Sequence, residues 1–237
     1  LPFMQIRVVK VDDQGRALRD CRVNEVGCIA IKGPNVIAGY KEADKNKNLW
    51  VDDGWLNTGD MGRLDKDDYL WLTGRSKDLI IRGGHNIDPV LIEEVLHRHP
   101  AVAAAAAVGK PDHKAGELPV AYVQLTACGD ASAEDIIAFA SEHIGERAAV
   151  PKHIYFLEHL PLTAVGKVFK PDLRRDVIAR TCSEELKAMG LAGEVVVEAC
   201  DRLGQVAHIT ISTGTCSDRD ALSAKLAHYQ FHHQIET

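Results

Sequence analysis

The chain has 237 residues, 46% of them apolar and 26% charged, and a formal charge of −6. This suits one large or two modest globular domains and offers no basic face for a nucleic-acid backbone. No apolar run reaches the ~18 residues of a membrane span and no basic-then-apolar leader opens the sequence, whose start at Leu1-Pro2-Phe3 reads as a fragment or a processed end.

Residues 4–11 combine Met4, Ile6, Val8, Val9 and Val11 in a β-branched, alternating pattern that predicts a strand, and Asp12-Asp13-Gln14-Gly15 turns the chain. A second strand is predicted over 25–32 from Val26, Ile29 and Ile31, and Gly33-Pro34-Asn35 breaks it. Short strands fit at 55–56 and 69–73, with Asp65-Lys66-Asp67-Asp68 as a turn between them. Residues 1–75 thus read as a small antiparallel β unit with several short strands.

The pattern then changes. Leu79-Ile80-Ile81 is a short apolar strand stopped by Gly83-Gly84. Asp88 as N-cap and Pro89 at the first helical position open a helix that places Leu91, Ile92, Val95 and Leu96 at helical spacing before Pro100. The small apolar residues of 101–108 predict a buried strand and 118–125 another. A helix over 133–144 has Ile136, Ile137, Ala140 and Ile144 on one face, a strand covers 153–157, and a helix covers 171–180. Residues 76–180 form an α+β unit. In 181–237, strands over 194–199 and 205–212 flank the turn Asp201-Arg202-Leu203-Gly204, and 221–229 is helical. This extension of hairpin and helix adds to the domain before it or mediates association. The six cysteines include no Cys-x-x-Cys pair and read as reduced thiols of a cytoplasmic protein.

Four clusters carry chemistry. Trp55-Leu56-Asn57-Thr58-Gly59-Asp60 presents a carboxylate from a turn, which is either solvated or able to accept hydrogen bonds from both hydroxyls of a ribose. The stretch 74–93 contains Arg75, a five-donor fork for phosphate or ribose, and the pair Gly83-Gly84, where a backbone can approach a ligand; it is also readable as a linker before a capped helix. In the loop 160–170, Lys167 follows Gly166 and is either a surface lysine or a mobile positive charge for a phosphoryl centre. The spacing there is not that of a phosphate-cradling P-loop. Gly33-Pro34-Asn35-Val36 with Gly39-Tyr40 is turn chemistry.

In this order the clusters resemble the adenylate-forming superfamily of acyl- and aryl-CoA synthetases, peptide-synthetase adenylation domains and luciferases. The likeness covers residues 1–180, and Ile81-Arg82-Gly83-Gly84-His85-Asn86-Ile87-Asp88-Pro89 is most similar to fatty-acyl-CoA synthetases. The resemblance implies an α+β chain: a β-barrel part of a large AMP-binding domain, then a mobile C-terminal domain. It implies Asp60 and Arg75 as nucleotide ligands, Lys77 as the hinge, Gly83, Gly84 and His85 on the CoA channel, and Lys167 as the catalytic lysine between acid and α-phosphate. It further implies ATP with Mg2+, CoA and a carboxylic acid as partners, and an inactive fragment prone to self-association, because the phosphate loop and acyl pocket are not in this sequence. Val165 departs from the small polar residue common before Gly-Lys. An adenylating module that loads a carrier protein and a non-catalytic binding module are the competing readings; no Gly-Gly-x-Ser attachment site is visible.

Three other features are set aside. Ser212-Thr213-Gly214-Thr215-Cys216 imitates a phosphate loop at the wrong end of the chain. His228, His232 and His233 have helical spacing suited to a metal but read as a frayed helix, and no metal site is expected. Glu93-Glu94 reads as a solvated face and packing partner.

Overall fold

Alternation of apolar and polar residues organises the first of two units in the computed structural model, which describes residues 3–12, 14–200 and 204–236. In this unit, Leu1–Leu79, six strands form one sheet: β1 (Gln5–Val11), β2 (Ala17–Asp20), β3 (Gly27–Lys32), β4 (Trp50–Asp52), β5 (Trp55–Leu64) and β6 (Leu70–Arg75). The order is β2-β1-β3-β5-β4, all antiparallel, and β6 shares with β4 the edge of β5 opposite β3. Val9, Cys28, Ala30 and Val51 are its buried core, with Trp55 and Met61 packed against them. The barrel part expected from the sequence is not a closed barrel. Among the described residues no pairing joins β2 to β4 or β6, and closure needs every edge strand to find a partner. With four and three residues, β2 and β4 are too short to supply one.

The second unit, Ile80–Thr237, begins with β7 (Ile80–Arg82), β8 (His85–Ile87), α1 (Pro89–Leu96), β9 (Val102–Asp112), β10 (Gly116–Leu125), α2 (Ala133–His143), β11 (Ile154–Phe156) and α3 (Lys170–Ala188). β10 is the central strand, paired with β9 along one edge and with β7 and the parallel β11 along the other. The alanine run in β9 shows why small residues stand there. Ala105 and Ala107 point to one face, against Ile92, Leu96 and Ile136 of α1 and α2. Ala106 and Val108 point to the other, against Leu173 and Val177 of α3. Side chains alternate along a strand, so one run serves two helical layers.

Capping sets the helix starts. The Asp88 carboxylate accepts from Val90 N at 2.9 Å, with Pro89 at the first position of α1. Ser132 and Asp135 form a capping box for α2.

α3 runs eight residues beyond the predicted 180, so the boundary expected there lies inside a helix. Its second half carries Ile178, Cys182 and Leu186 into another core with Ala207, Ile209, Ile211, Leu222 and Leu226. That core belongs to β12 (Gly193–Cys200), β13 (Gly204–Ile211), α4 (Cys216–Leu226) and β14 (His232–Glu236), with β12 antiparallel and β14 parallel to β13. Residues 201–203 of the expected turn lie outside the described residues. The helix expected at 221–229 starts earlier because Thr215 and Asp218 make a capping box. His228 follows this helix while His232 and His233 lie on β14, so the three do not share a helical face. Among the described residues no helix is long and apolar enough to cross a membrane.

Candidate functional site

Asp60 and Arg75 face each other across the β5–β6 pair, where Arg75 Nε donates to Asp60 Oδ1 at 3.0 Å. The sequence suggests a tight turn before Asp60. The structure has a bulge inside a ten-residue strand: Cys28 pairs with Met61 and Ala30 with Asn57, so β5 carries extra residues between those points. Local side chains satisfy the bulged backbone. Asn57 Oδ1 accepts from Gly59 N at 2.9 Å, Thr58 Oγ1 accepts from Asp60 N at 3.1 Å and donates to Ile29 O at 2.8 Å. Gly59 takes φ +74°, a conformation that costs glycine little. The motif thereby turns the Asp60 carboxylate out of the sheet, beside a guanidinium.

Lys77 is exposed in a short 3-10 turn, Ser76–Asp78, just ahead of the division between the units. Gly83 and Gly84 are the two central residues of the β7–β8 hairpin, with φ +55° and +86°. Two positive φ values are the requirement of a type I′ turn. A Cβ at either glycine would meet nothing within 4 Å, so in this chain backbone conformation, not crowding, demands glycine there. Gly83 N donates to Ala115 O at 2.7 Å, which ties the turn to the β9–β10 connection. His85 is exposed, with Nδ1 3.6 Å from Glu146. Beside this turn lies an open cavity of about 400 Å3 lined by Arg82, Gly83, His85, Arg147 and Lys152. Arg82 donates to Ala148 O at 2.6 Å, which fixes one wall. Four basic side chains around one recess suit a polyanion.

Lys167 is exposed on a small hairpin between Leu160 and α3. Thr163 N donates to Lys167 O at 2.7 Å, Gly166 N to Thr163 O at 2.9 Å, and Lys167 N to Thr163 Oγ1 at 3.1 Å. Leu162 bridges Val168, and Phe169 N donates to Pro161 O at 2.8 Å. The backbone is bonded to itself, and Gly166 (φ +77°) closes the turn just before the lysine.

The root of this hairpin is tied down by residues whose role the sequence does not reveal. Lys170 Nζ lies 2.8 Å from Glu93 Oε1, and the two side chains are only 15% and 17% exposed. The same Glu93 oxygen accepts from Ala107 N at 2.8 Å. Asp88 is close enough for its carboxylate to feel Lys170, although burial is the larger influence and raises its pKa. Of the pair expected as solvated face and packing partner, Glu94 is exposed and Glu93 is the packing partner. Arg147 and Lys152 also escaped notice, since lone basic residues in a loop carry no spacing signal. Ser212–Cys216 is the entry to α4: Thr213 Oγ1 accepts from Ala192 N, and Thr215 is the cap. Among the described residues no group of three His, Cys, Asp or Glu side chains stands where it could hold a metal.

Comparison with known proteins finds both sequence relatives and similar folds. Residues 91–167 match the AMP-binding enzyme C-terminal domain family. The chain is 52% identical over 189 residues to marinolic acid–CoA ligase of Pseudoalteromonas sp. (strain SANK 73390), covering 80% of this chain and 29% of that protein. It is similar in structure to ATP-bound MatB of Rhodopseudomonas palustris, with TM-score 0.68, 30% identity and coverage of 74% and 34%. It is also similar to o-succinylbenzoate CoA synthetase of Bacillus subtilis in complex with its acyl-adenylate intermediate, with TM-score 0.64, 34% identity and coverage of 73% and 34%. The chain therefore spans about a third of the length of these relatives.

Proposed function

We infer that this chain is the C-terminal part of an ATP-dependent acyl-CoA synthetase, with residues 1–75 belonging to its AMP-binding domain and residues 76–180, which include the match to the AMP-binding enzyme C-terminal domain at 91–167, forming its mobile domain. A carboxylate oxygen attacks the α-phosphorus of ATP, pyrophosphate leaves, and an acyl-adenylate forms. The CoA thiol then attacks the acyl carbon and AMP leaves. The observation that carries this reading is Lys167, exposed on a self-bonded hairpin where its ammonium can reach a partner domain.

Each half-reaction uses a different part of the chain. Lys167 places its charge between the acid and the α-phosphate as negative charge builds there. Asp60 accepts hydrogen bonds from the ribose hydroxyls, with Arg75 beside it. Rotation at Lys77 exchanges Lys167 for the Gly83-Gly84 turn and His85. The basic recess at Arg82, Arg147 and Lys152 suits the phosphates of CoA. Mg2+ would screen the phosphates when ATP is bound. Among the described residues no group of three His, Cys, Asp or Glu side chains stands where it could ligate it.

The acid is the least constrained partner. The 81–89 stretch favours a fatty-acyl acid, while the relatives' names specify marinolic acid and o-succinylbenzoate for those proteins. A cytoplasmic location belongs to this reading, supported by six cysteines that are all free thiols. Self-association of the isolated chain belongs to it as well. Leu18, Tyr69, Trp71 and Leu72 of the first unit are more than half exposed, an apolar surface suited to burial. Light scattering should show mass rising with concentration; a constant monomer mass contradicts that part.

The test is a panel of fatty and aryl acids given to the full-length protein that carries this chain, with pyrophosphate release and thioester formation measured separately. Both steps should occur with one class of acid. Pyrophosphate release without any CoA thioester would transfer the assignment to a carrier-loading enzyme, and failure of both steps would end it.

A further inference from the structure

We propose that the Glu93–Lys170 ion pair is a positioning device that sets the reach of Lys167, and that it serves adenylation and not thioester formation. This rests on the adenylation role assigned above to Lys167.

The argument is one of attachment. Within residues 161–169, backbone hydrogen bonds join Thr163 and Lys167, Thr163 and Gly166, and Pro161 and Phe169, and at the root Phe169 O accepts from Asp172 N of α3 at 3.2 Å. Besides these few bonds, only the packing of Val168 on the Leu173–Val177 core holds the hairpin, so loosening its root lets the bonds open and its direction drift. At the root stands Lys170, the first residue of α3, with its ammonium against Glu93 Oε1 at 2.8 Å. Glu93 is itself held by Ala107 N at 2.8 Å, from the fully buried middle of β9. One carboxylate oxygen therefore joins α1, the central sheet and the root of the lysine hairpin. Because both side chains are mostly out of water, the contact is less screened than a surface pair, and loss of either partner strands a charge. Lys167 lies three residues from this anchor, so a small rotation at Lys170 is magnified at its ammonium. Misplacement on the scale of an ångström is enough to slow a positioned reaction.

The variants are Lys170→Met, Glu93→Gln, the double variant and Lys170→Arg. Glu93→Gln keeps a carbonyl oxygen for Ala107 N, and the double variant removes both charges without leaving one unpaired in the core. Two measurements are made. Amide hydrogen exchange on this chain reads the hairpin at Thr163 and Phe169 and the sheet at Val120 and Tyr122. Kinetics of the full-length protein separate pyrophosphate release from conversion of supplied acyl-adenylate to the thioester.

The double variant should exchange at least tenfold faster at Thr163 and Phe169, with the sheet unchanged. Pyrophosphate release should lose at least tenfold in kcat with little change in KM for acid and ATP. Conversion of acyl-adenylate should stay within about twofold, and Lys170→Arg should restore most of the loss. Unchanged hairpin exchange overturns the anchor, and an equal fall in both half-reactions overturns the positioning role in favour of a purely structural one. If Lys167→Ala leaves adenylation intact, the function assigned to Lys167 fails and the positioning role with it, whatever the exchange data show.

Discussion

Asp60 owes its place to side chains that read as ordinary turn residues. Asn57 and Thr58 bind the backbone of a bulge, and Gly59 takes the left-handed conformation within it, just before Asp60 pairs with Arg75 of β6. Its pair with Arg75 is largely exposed, so it adds little to folding. Asp60→Asn should therefore leave the melting temperature nearly unchanged while raising KM for ATP by on the order of ten- to a hundredfold, the loss of charged hydrogen bonds to a diol. Unchanged KM for ATP would remove Asp60 from the nucleotide site. Asp60, Arg75 and Lys167 were singled out in the sequence because each sits in a cluster of glycines and polar residues whose order along the chain has meaning. Glu93 with Lys170 was not, because an ion pair between residues so far apart in sequence exists only once α1 and α3 are packed.

Elements with enough residues to show a period were legible as well. The strand at 101–108, the capped helix at Asp88 and the helix with Ile136 and Ala140 inward all stand as expected, although their ends moved by a few residues. β2, β4 and β8 have only three or four residues, too few for alternation to register. β14 reads as polar because it is an edge strand with alternate residues exposed. α3 was cut short because its second half is polar apart from Ile178, Cys182 and Leu186, whose partners come from the extension. That helix now links two cores: Leu173 and Val177 serve one, Ile178, Cys182 and Leu186 the other. Leu222 is fully buried in the second, so Leu222→Ala should cost about 2–5 kcal/mol of stability. Because α3 is shared, the second unit should still melt in a single transition by calorimetry. Separate transitions for the extension and the α+β core would show that α3 does not couple them.

At the scale of the whole molecule, the chain divides between Leu79 and Ile80, and the candidate groups are distributed over both units. Asp60, Arg75 and Lys77 belong to the first, and Gly83, Gly84, His85 and Lys167 to the second. The proposed two-step reading needs the exchanged parts on a different body from the nucleotide ligands, and the candidate groups fall in different units of the chain. The sequence changes from short β segments to α+β periodicity near residue 76, a few residues before the units divide. That the first unit's sheet stays open was not legible, since pairing of sheet edges leaves no mark in the composition of individual strands. The most direct test of the two-step account is the full-length protein carrying Lys167→Ala, assayed beside Gly84→Leu, with pyrophosphate release and conversion of supplied acyl-adenylate measured on each. The account predicts that Lys167→Ala loses at least a hundredfold in pyrophosphate release yet still makes thioester from acyl-adenylate, and that Gly84→Leu, which forces a side chain into a left-handed turn, does the reverse. Parallel loss or parallel retention of both steps in the two variants would contradict it.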